Sequence, residues 1–211
     1  MIVALLGGTG NLGRGLALRL SLLGYDVVVG SRSAEKAAKI AAEYASVSGA
    51  NVRGVTNREA AKLCDVAIFT IPWRHAFAIA ELLRDELKDK VVVSPLVPME
   101  KKGENFTYIR LPEGSAAEKL ASILDSRVAA AFHCVPAARF ANLEEKVDWD
   151  LPVCGDEEAK DVVVEIASGM GFRVLDAGPL SNASLLESLT PLILNIMRAS
   201  GISRELTVRF V

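Results

Sequence analysis

The sequence predicts a doubly wound α/β fold with a mostly parallel sheet and a small helical region at its C-terminal end. Three observations carry this. Short, continuously apolar runs alternate with longer stretches of helical periodicity, the pattern of parallel strands buried on both faces and crossed by right-handed helical connections. A glycine-rich turn sits between the first apolar run and the first helical stretch. From Ser181 to Ser200 the alternation gives way to a single apolar helix pattern.

The elements follow in order. Strands are expected at Ile2–Leu6, Asp26–Val29, Val66–Thr70, Val91–Ser94, Val128–Phe132, Pro152–Cys154 and Phe172–Leu175. Helices are expected at Leu12–Leu23, Ala34–Val47, Arg58–Leu63, His75–Leu87, Ala116–Leu124 and Glu157–Ser168. Ser33, Asn57 and Ser115 stand where helix N-caps belong, and Ser115 with Glu118 spells a capping box. In the last helix Leu185, Leu186, Leu189, Leu192, Ile193, Ile196 and Met197 form one broad stripe, with Pro191 placed to kink or split it. Glu205–Val211 alternates and reads as a short tail strand. The expected division is 1–178 for a nucleotide-binding unit and 179–211 for a small helical segment.

Bulk properties exclude several classes. The chain has 211 residues, 51% hydrophobic and 24% charged, enough for a real core and too apolar for disorder. A net charge of −2 carries no basic excess for nucleic acid, and no apolar run is long enough to span a membrane. Met1–Leu6 lacks a basic leader region and reads as a buried strand rather than a signal peptide. Cys64, Cys134 and Cys154 lack CxxC spacing and only His75 and His133 could join them, so no metal site is expected. A reducing, cytoplasmic setting fits these thiols.

The turn after the first strand contains G-x-G-x-x-G as Gly8, Gly10 and Gly13. The first glycine permits a tight turn, the second admits a pyrophosphate to the backbone, and the third lets helix and strand pack closely. Following a strand and opening a helix, this is the context of a Rossmann dinucleotide site. The alternative is a purely structural glycine turn. At the end of the second strand, where an NAD site usually has a carboxylate for the ribose hydroxyl, stand Ser31 and Arg32, with Lys36 one helical turn on. These residues suit the 2′-phosphate of NADP, although a solvated helix start would look the same without the glycine loop.

Ligands collect beyond the carboxyl ends of parallel strands. Three proline-bearing loops are expected there: Thr70-Ile71-Pro72-Trp73-Arg74-His75, Ser94–Pro98 and His133–Arg139. His75 or His133 could donate a proton in carbonyl reduction, although a lone histidine is more often structural. No Tyr-x-x-x-Lys pair, catalytic triad or carboxylate pair is evident, so no catalytic side chain is assigned. The chain supplies a hydride-carrier site without clear proton-transfer machinery.

Larger motifs then carry a resemblance. Ala4-Leu-Leu-Gly-Gly-Thr-Gly-Asn-Leu-Gly13, Val29-Gly-Ser-Arg32, Thr70-Ile-Pro-Trp73 and Ser94-Pro-Leu-Val-Pro98 resemble the archaeal F420-dependent NADP reductases. So do Pro136-Ala-Ala-Arg-Phe-Ala-Asn-Leu143, Pro152-Val-Cys-Gly-Asp156, Asp176-Ala-Gly-Pro-Leu-Ser181 and Glu187-Ser-Leu-Thr-Pro-Leu-Ile-Leu-Asn-Ile-Met197. The likeness implies reversible hydride transfer between NADP and coenzyme F420, an 8-hydroxy-5-deazaflavin, by alignment of the two without side-chain acid–base help. It implies Thr9, Gly10, Asn11 and Leu12 at the pyrophosphate and Ser31, Arg32 and Lys36 at the 2′-phosphate. Thr70, Ile71, Pro72 and His75 would flank the nicotinamide, with Ala137 opposite. His133, Val135 and Pro136 would meet the deazaflavin, and the C-terminal segment near Asn195 and Leu206 would close the pocket. Two other readings stay open: an NADP-dependent reductase of a small carbonyl or imine, and a non-catalytic NADP-sensing module with the Leu185–Met197 stripe as a partner surface. Core packing or a homodimer interface is the plainer use of that stripe, and a homo-oligomer is expected.

Overall fold

A computed structural model describes residues 1–211. The chain opens with β1 (Ile2–Leu6), α1 (Asn11–Leu22) and β2 (Asp26–Ser31), followed by α2 (Ala34–Ser48), β3 (Val52–Thr56), α3 (Asn57–Leu63) and β4 (Val66–Phe69). Next come α4 (Trp73–Leu82), α5 (Arg84–Leu87), β5 (Val91–Ser94), a hairpin of β6 (Met99–Lys102) and β7 (Asn105–Tyr108), α6 (Ala116–Ile123) and β8 (Arg127–Ala130). The last third holds α7 (Ala137–Ala141), β9 (Asp150–Gly155), α8 (Glu157–Gly169), β10 (Arg173–Asp176) and α9 (Ala183–Ala199).

The eight-stranded sheet has the order β10-β9-β8-β5-β4-β1-β2-β3. All neighbours are parallel except β8 and β9, which pair antiparallel through Ala129–Gly155 and Ala130–Cys154. The chain reverses direction of winding between β1 and β4, and that switch point opens the crevice where ligands bind in such sheets. Side chains alternate faces along each strand. Val3 and Leu5 therefore join one core with Leu16, Leu20 and the aromatic group Phe132, Phe140, Trp149 and Phe172. Ala4 and Leu6 join the other, with Phe69, Val92 and Leu120. Gly15 brings α1 onto α7, since a Cβ there would lie 2.5 Å from the Phe140 ring. Arg19 then ties the α7 loop down by donating to the carbonyls of Phe140, Asn142 and Glu145 at 2.8–2.9 Å.

Several elements differ from expectation. β3 went unseen because it is a half-exposed edge strand with Arg53 and Gly54 in its middle. The β6–β7 hairpin hides in a charged stretch, Met99-Glu-Lys-Lys, with its Gly103 turn at φ +58°. The helix expected over His75–Leu87 breaks at Leu83, whereas α9 continues through Pro191, which is buried and held by packing. The tail forms no strand. Near its end it meets Asp150, whose backbone N–H donates to the Val208 carbonyl and whose carboxylate accepts from the Phe210 N–H. The third helix is capped by Thr56 rather than Asn57, with a complete capping box to Glu59. No helix is long and apolar enough to cross a membrane.

Candidate functional site

The glycine turn is built by close approach. Gly7 has φ +76°, and a Cβ there would reach within 2.7 Å of Ile71 Cγ1. The Gly8 N–H donates to the carbonyls of Leu5 (3.0 Å) and Gly30 (3.1 Å), so the turn is tied to the ends of both flanking strands. A Cβ on Gly13 would lie 2.4 Å from the Gly8 carbonyl, whereas one on Gly10 would meet nothing within 4 Å. Gly8 and Gly13 are thus required by the chain itself, and Gly10 leaves open space above the turn. Gly10 also caps α1 without a side-chain bond, so the first-turn amides of that helix are free to meet an anion.

Beside the turn lies a cleft of about 430 Å³ that brings together Thr9, Ser31, Arg32, Lys36, Ile71, Pro72 and His75. Sequence reading missed its two further polar side chains, Asn57 and Arg74. Asn57 had been assigned to a cap, and Arg74 stood within a motif without a role. Three cations, Arg32, Lys36 and Arg74, line the cleft and no carboxylate does. None of the three forms an ion pair. Arg74 instead lies over the Trp73 ring at 4.6 Å. Ser31 is buried at the end of β2, and Ser33 caps α2 by accepting from the Lys36 N–H at 3.2 Å.

At the switch point a second hollow of about 260 Å³ is lined by Leu12, Thr70, Ile71 and Pro72 together with the Pro95–Val97 loop. Thr70 is fixed by donating its hydroxyl to the Leu6 carbonyl at 2.9 Å. Asn11 is exposed and borders a separate groove with Arg14, Ala138 and Asn142.

The β8–α7 loop and α9 border a third cavity of about 180 Å³, lined by His133, Val135, Pro136, Ala137, Thr190, Leu206 and their neighbours. Phe132 adopts φ +69°, a left-handed conformation that costs a bulky residue energy and turns the chain sharply at this point. His133 is buried with no partner for Nε2, and desolvation pushes its pKa down to about 3. Thr190 donates to the His133 carbonyl at 2.7 Å, fastening α9 to the loop. The tail crosses the opening. Glu205 accepts from the amides of Ala138 (3.1 Å) and Arg139 (3.2 Å), while Arg139 donates to the Glu205 carbonyl at 2.9 Å. Asn195 does not line this cavity: its amide pairs with the Phe106 backbone at 2.8 Å in both directions, holding the β6–β7 hairpin on α9.

Near the start of α9, Glu187 is fully buried. Its carboxylate accepts from the Ala116 and Ala117 amides, each at 3.1 Å, and from Tyr108 Oη at 2.7 Å. Burial raises its pKa to about 7 against those bonds, which act in the opposite direction. One side chain therefore joins α9, α6 and the hairpin.

Comparison with known proteins extends this picture. The family described as NADP oxidoreductase, coenzyme F420-dependent, matches residues 2–98. The F420-dependent NADP reductase of Methanothermobacter thermautotrophicus is 39% identical over 206 residues, covering 93% of this chain and 89% of that protein. The enzyme of the same name from Methanocaldococcus jannaschii is 40% identical, covering 93% and 92%. A crystal structure from Arthrobacter sp. FB24, provisionally assigned as an F420-dependent NADP-reductase, shares the fold with a TM-score of 0.83 at 20% identity, covering 100% and 98%.

Proposed function

The chain belongs to the F420-dependent NADP reductase family, and from that premise we propose how its own residues accommodate the two coenzymes. It is an oxidoreductase that transfers hydride between coenzyme F420 and NADP. The deazaflavin and the nicotinamide supply the hydride chemistry, and the protein supplies position and dryness.

The observation that carries the NADP assignment is the carboxylate-free cleft with three unpaired cations at the end of β2. A 2′-phosphate suits it, whereas a bare ribose would leave three cations unanswered. Ser31, Arg32 and Lys36 hold that phosphate, with Arg74 facing them. Thr9, Gly10, Asn11 and Leu12 hold the pyrophosphate over the uncapped start of α1. Thr70, Ile71, Pro72 and His75 flank the nicotinamide, with Ala137 across from them.

The deazaflavin meets His133, Val135 and Pro136. The mostly apolar lining of the cavity fits a flat heterocycle. The cavity is smaller than the roughly 300–1,000 Å³ of typical ligand pockets, so Leu206 and the tail move aside on entry. Asn195 acts by holding the hairpin on α9. His133 is neutral across the physiological range and aligns its ligand without delivering a proton, which supports hydride transfer without side-chain acid–base catalysis. The same neutrality removes His133 as the proton donor that reduction of a carbonyl or imine would need. Residues 179–211 form a small helical closure on the 1–178 nucleotide-binding unit. Exposed Leu185, Leu192 and Ile196 are assigned to a homodimer contact, and the enzyme to the cytoplasm.

Mixing the protein with NADPH and oxidised coenzyme F420 is expected to bleach the deazaflavin absorbance. An unchanged spectrum alongside turnover of a carbonyl compound would overturn this reading.

A further inference from the structure

Asn57 lines the nucleotide cleft but lies outside the glycine and Ser31–Arg32 motifs. Its Oδ1 accepts from the Gly7 N–H at 3.0 Å. Only an oxygen can accept from that amide, so the side chain has one permitted orientation and its Nδ2 must face the other way. Nδ2 has no hydrogen-bond partner in the chain, and Asn57 lines both this cleft and an adjoining hollow that also contains Ser31 and Arg32. Thr56 pairs with Ser31 across the β2–β3 ladder, which sets the next residue beside the Ser31–Arg32 corner. Gly30 admits it there: a Cβ on Gly30 would lie 2.6 Å from Asn57 Oδ1. Asn57 is therefore a buried amide with its acceptor end committed and its donor end free, adjoining three cations.

We propose that Asn57 reads the nucleotide, its Nδ2 donating to the anionic 2′-phosphate end while its Oδ1 holds the glycine turn in shape. An aspartate would be isosteric and could still accept from Gly7. It would, however, place a negative charge beside the Ser31–Arg32 corner, where it would repel a 2′-phosphate. The neutral amide is thus part of the selection for NADP. This inference rests on the NADP reading above.

Equilibrium titration of the full chain with NADPH and with NADH, in the absence of deazaflavin and followed by intrinsic fluorescence, tests it. Asn57→Asp is expected to weaken NADPH by about tenfold or more while NADH is unchanged or tighter. Asn57→Ala loses the turn bond and the donor together, so it weakens both nucleotides and NADPH by the larger factor. Should the aspartate variant not fold, as judged by thermal unfolding, the alanine variant carries the test. Equal factors for the two nucleotides in the folded variants would overturn the proposal. A native chain that does not prefer NADPH would overturn the parent NADP reading and this one with it.

Discussion

The cleft at the end of β2 and the cavity beneath the tail are built on opposite principles. The cleft is cationic, and its core members Thr9, Ser31, Arg32 and Lys36 come from the contiguous stretch that runs from β1 to the start of α2. The cavity is mostly apolar, assembled from residues 133–137, 190–197 and 205–206, which meet only in the folded chain. A phosphate can be held by a few charges on a short motif, because charged hydrogen bonds are strong and directional. A flat heterocycle needs shape on several sides, and shape requires distant segments. The cleft should therefore tolerate changes in stability that disrupt the cavity, and the cavity should tolerate charge changes that disrupt the cleft.

The largest expected effect is on the cavity side. Glu187→Ala leaves two buried amides and the Tyr108 hydroxyl without their acceptor and should cost about 3–5 kcal/mol of stability by denaturant unfolding. NADPH affinity of the fraction that remains folded should be unchanged; a comparable loss in that affinity would erase the distinction between the two regions. Glu187 also gives a pH signature. Its pKa rises on folding from an ordinary 4.5 to about 7, so the folded state binds its proton more tightly than the unfolded state. The resulting stability is complete below the unfolded value and is lost as pH rises towards 7, at up to about 1.4 kcal/mol per pH unit. Glu187→Gln should flatten that part of the stability–pH curve, and a slope identical to that of the native chain would show that Glu187 does not titrate there.

Arg32→Ala sharpens the comparison from the cleft side. NADP binding should weaken by about 1.5–3 kcal/mol, the scale of a charged hydrogen bond, with a much smaller loss for NAD and little change in melting temperature. Equal losses for both nucleotides would remove Arg32 from the 2′-phosphate. Next in size are the glycines. Gly13→Ala drives a methyl to 2.4 Å from the Gly8 carbonyl and should destabilise the fold by about 1–3 kcal/mol. Gly10→Ala meets nothing in the chain and should leave stability within about 0.5 kcal/mol while weakening both nucleotides. If Gly10→Ala bound NADPH normally, the open space above the turn would not be where the pyrophosphate lies. The smallest effect belongs to Glu205→Ala, which releases the tail from α7 at a cost of about 0.5–1.5 kcal/mol. Faster amide exchange at Ala138 and Arg139 would mark that release, and unaltered exchange would deny Glu205 the latch.

Legibility divides along the same line. The strands buried on both faces, such as β1, β2 and β5, announce themselves as apolar runs, and the Ser33 and Ser115 caps were readable from local sequence. β3 and the β6–β7 hairpin were not, because half-exposed or charged strands carry no apolar run to detect. The tail shows the converse error: alternation in Glu205–Val211 predicts a strand, yet no free sheet edge receives it and it is tied down by Asp150, Arg139 and its own Glu205. Asn57 was visible as a residue and misread as a cap, since Thr56 one position earlier forms the capping box with equal economy. Arg74 had no local signal at all, because its relation to Arg32 and Lys36 exists only across the cleft.

By itself the sequence determined the winding of the fold, the glycine turn, the Ser31–Arg32 corner and, through motifs spread along the chain, the family. These are matters of local spacing, where hydrophobic period, capping and steric demand act within a few residues. The tertiary structure alone decided that Asn57 and Arg74 join that corner, that Glu187 is buried among three donors, and that Asn195 serves the hairpin rather than the cavity. Those outcomes depend on which distant backbone groups arrive beside a side chain. A hydrogen bond between residues 71 or 89 positions apart leaves no periodicity for the sequence to display.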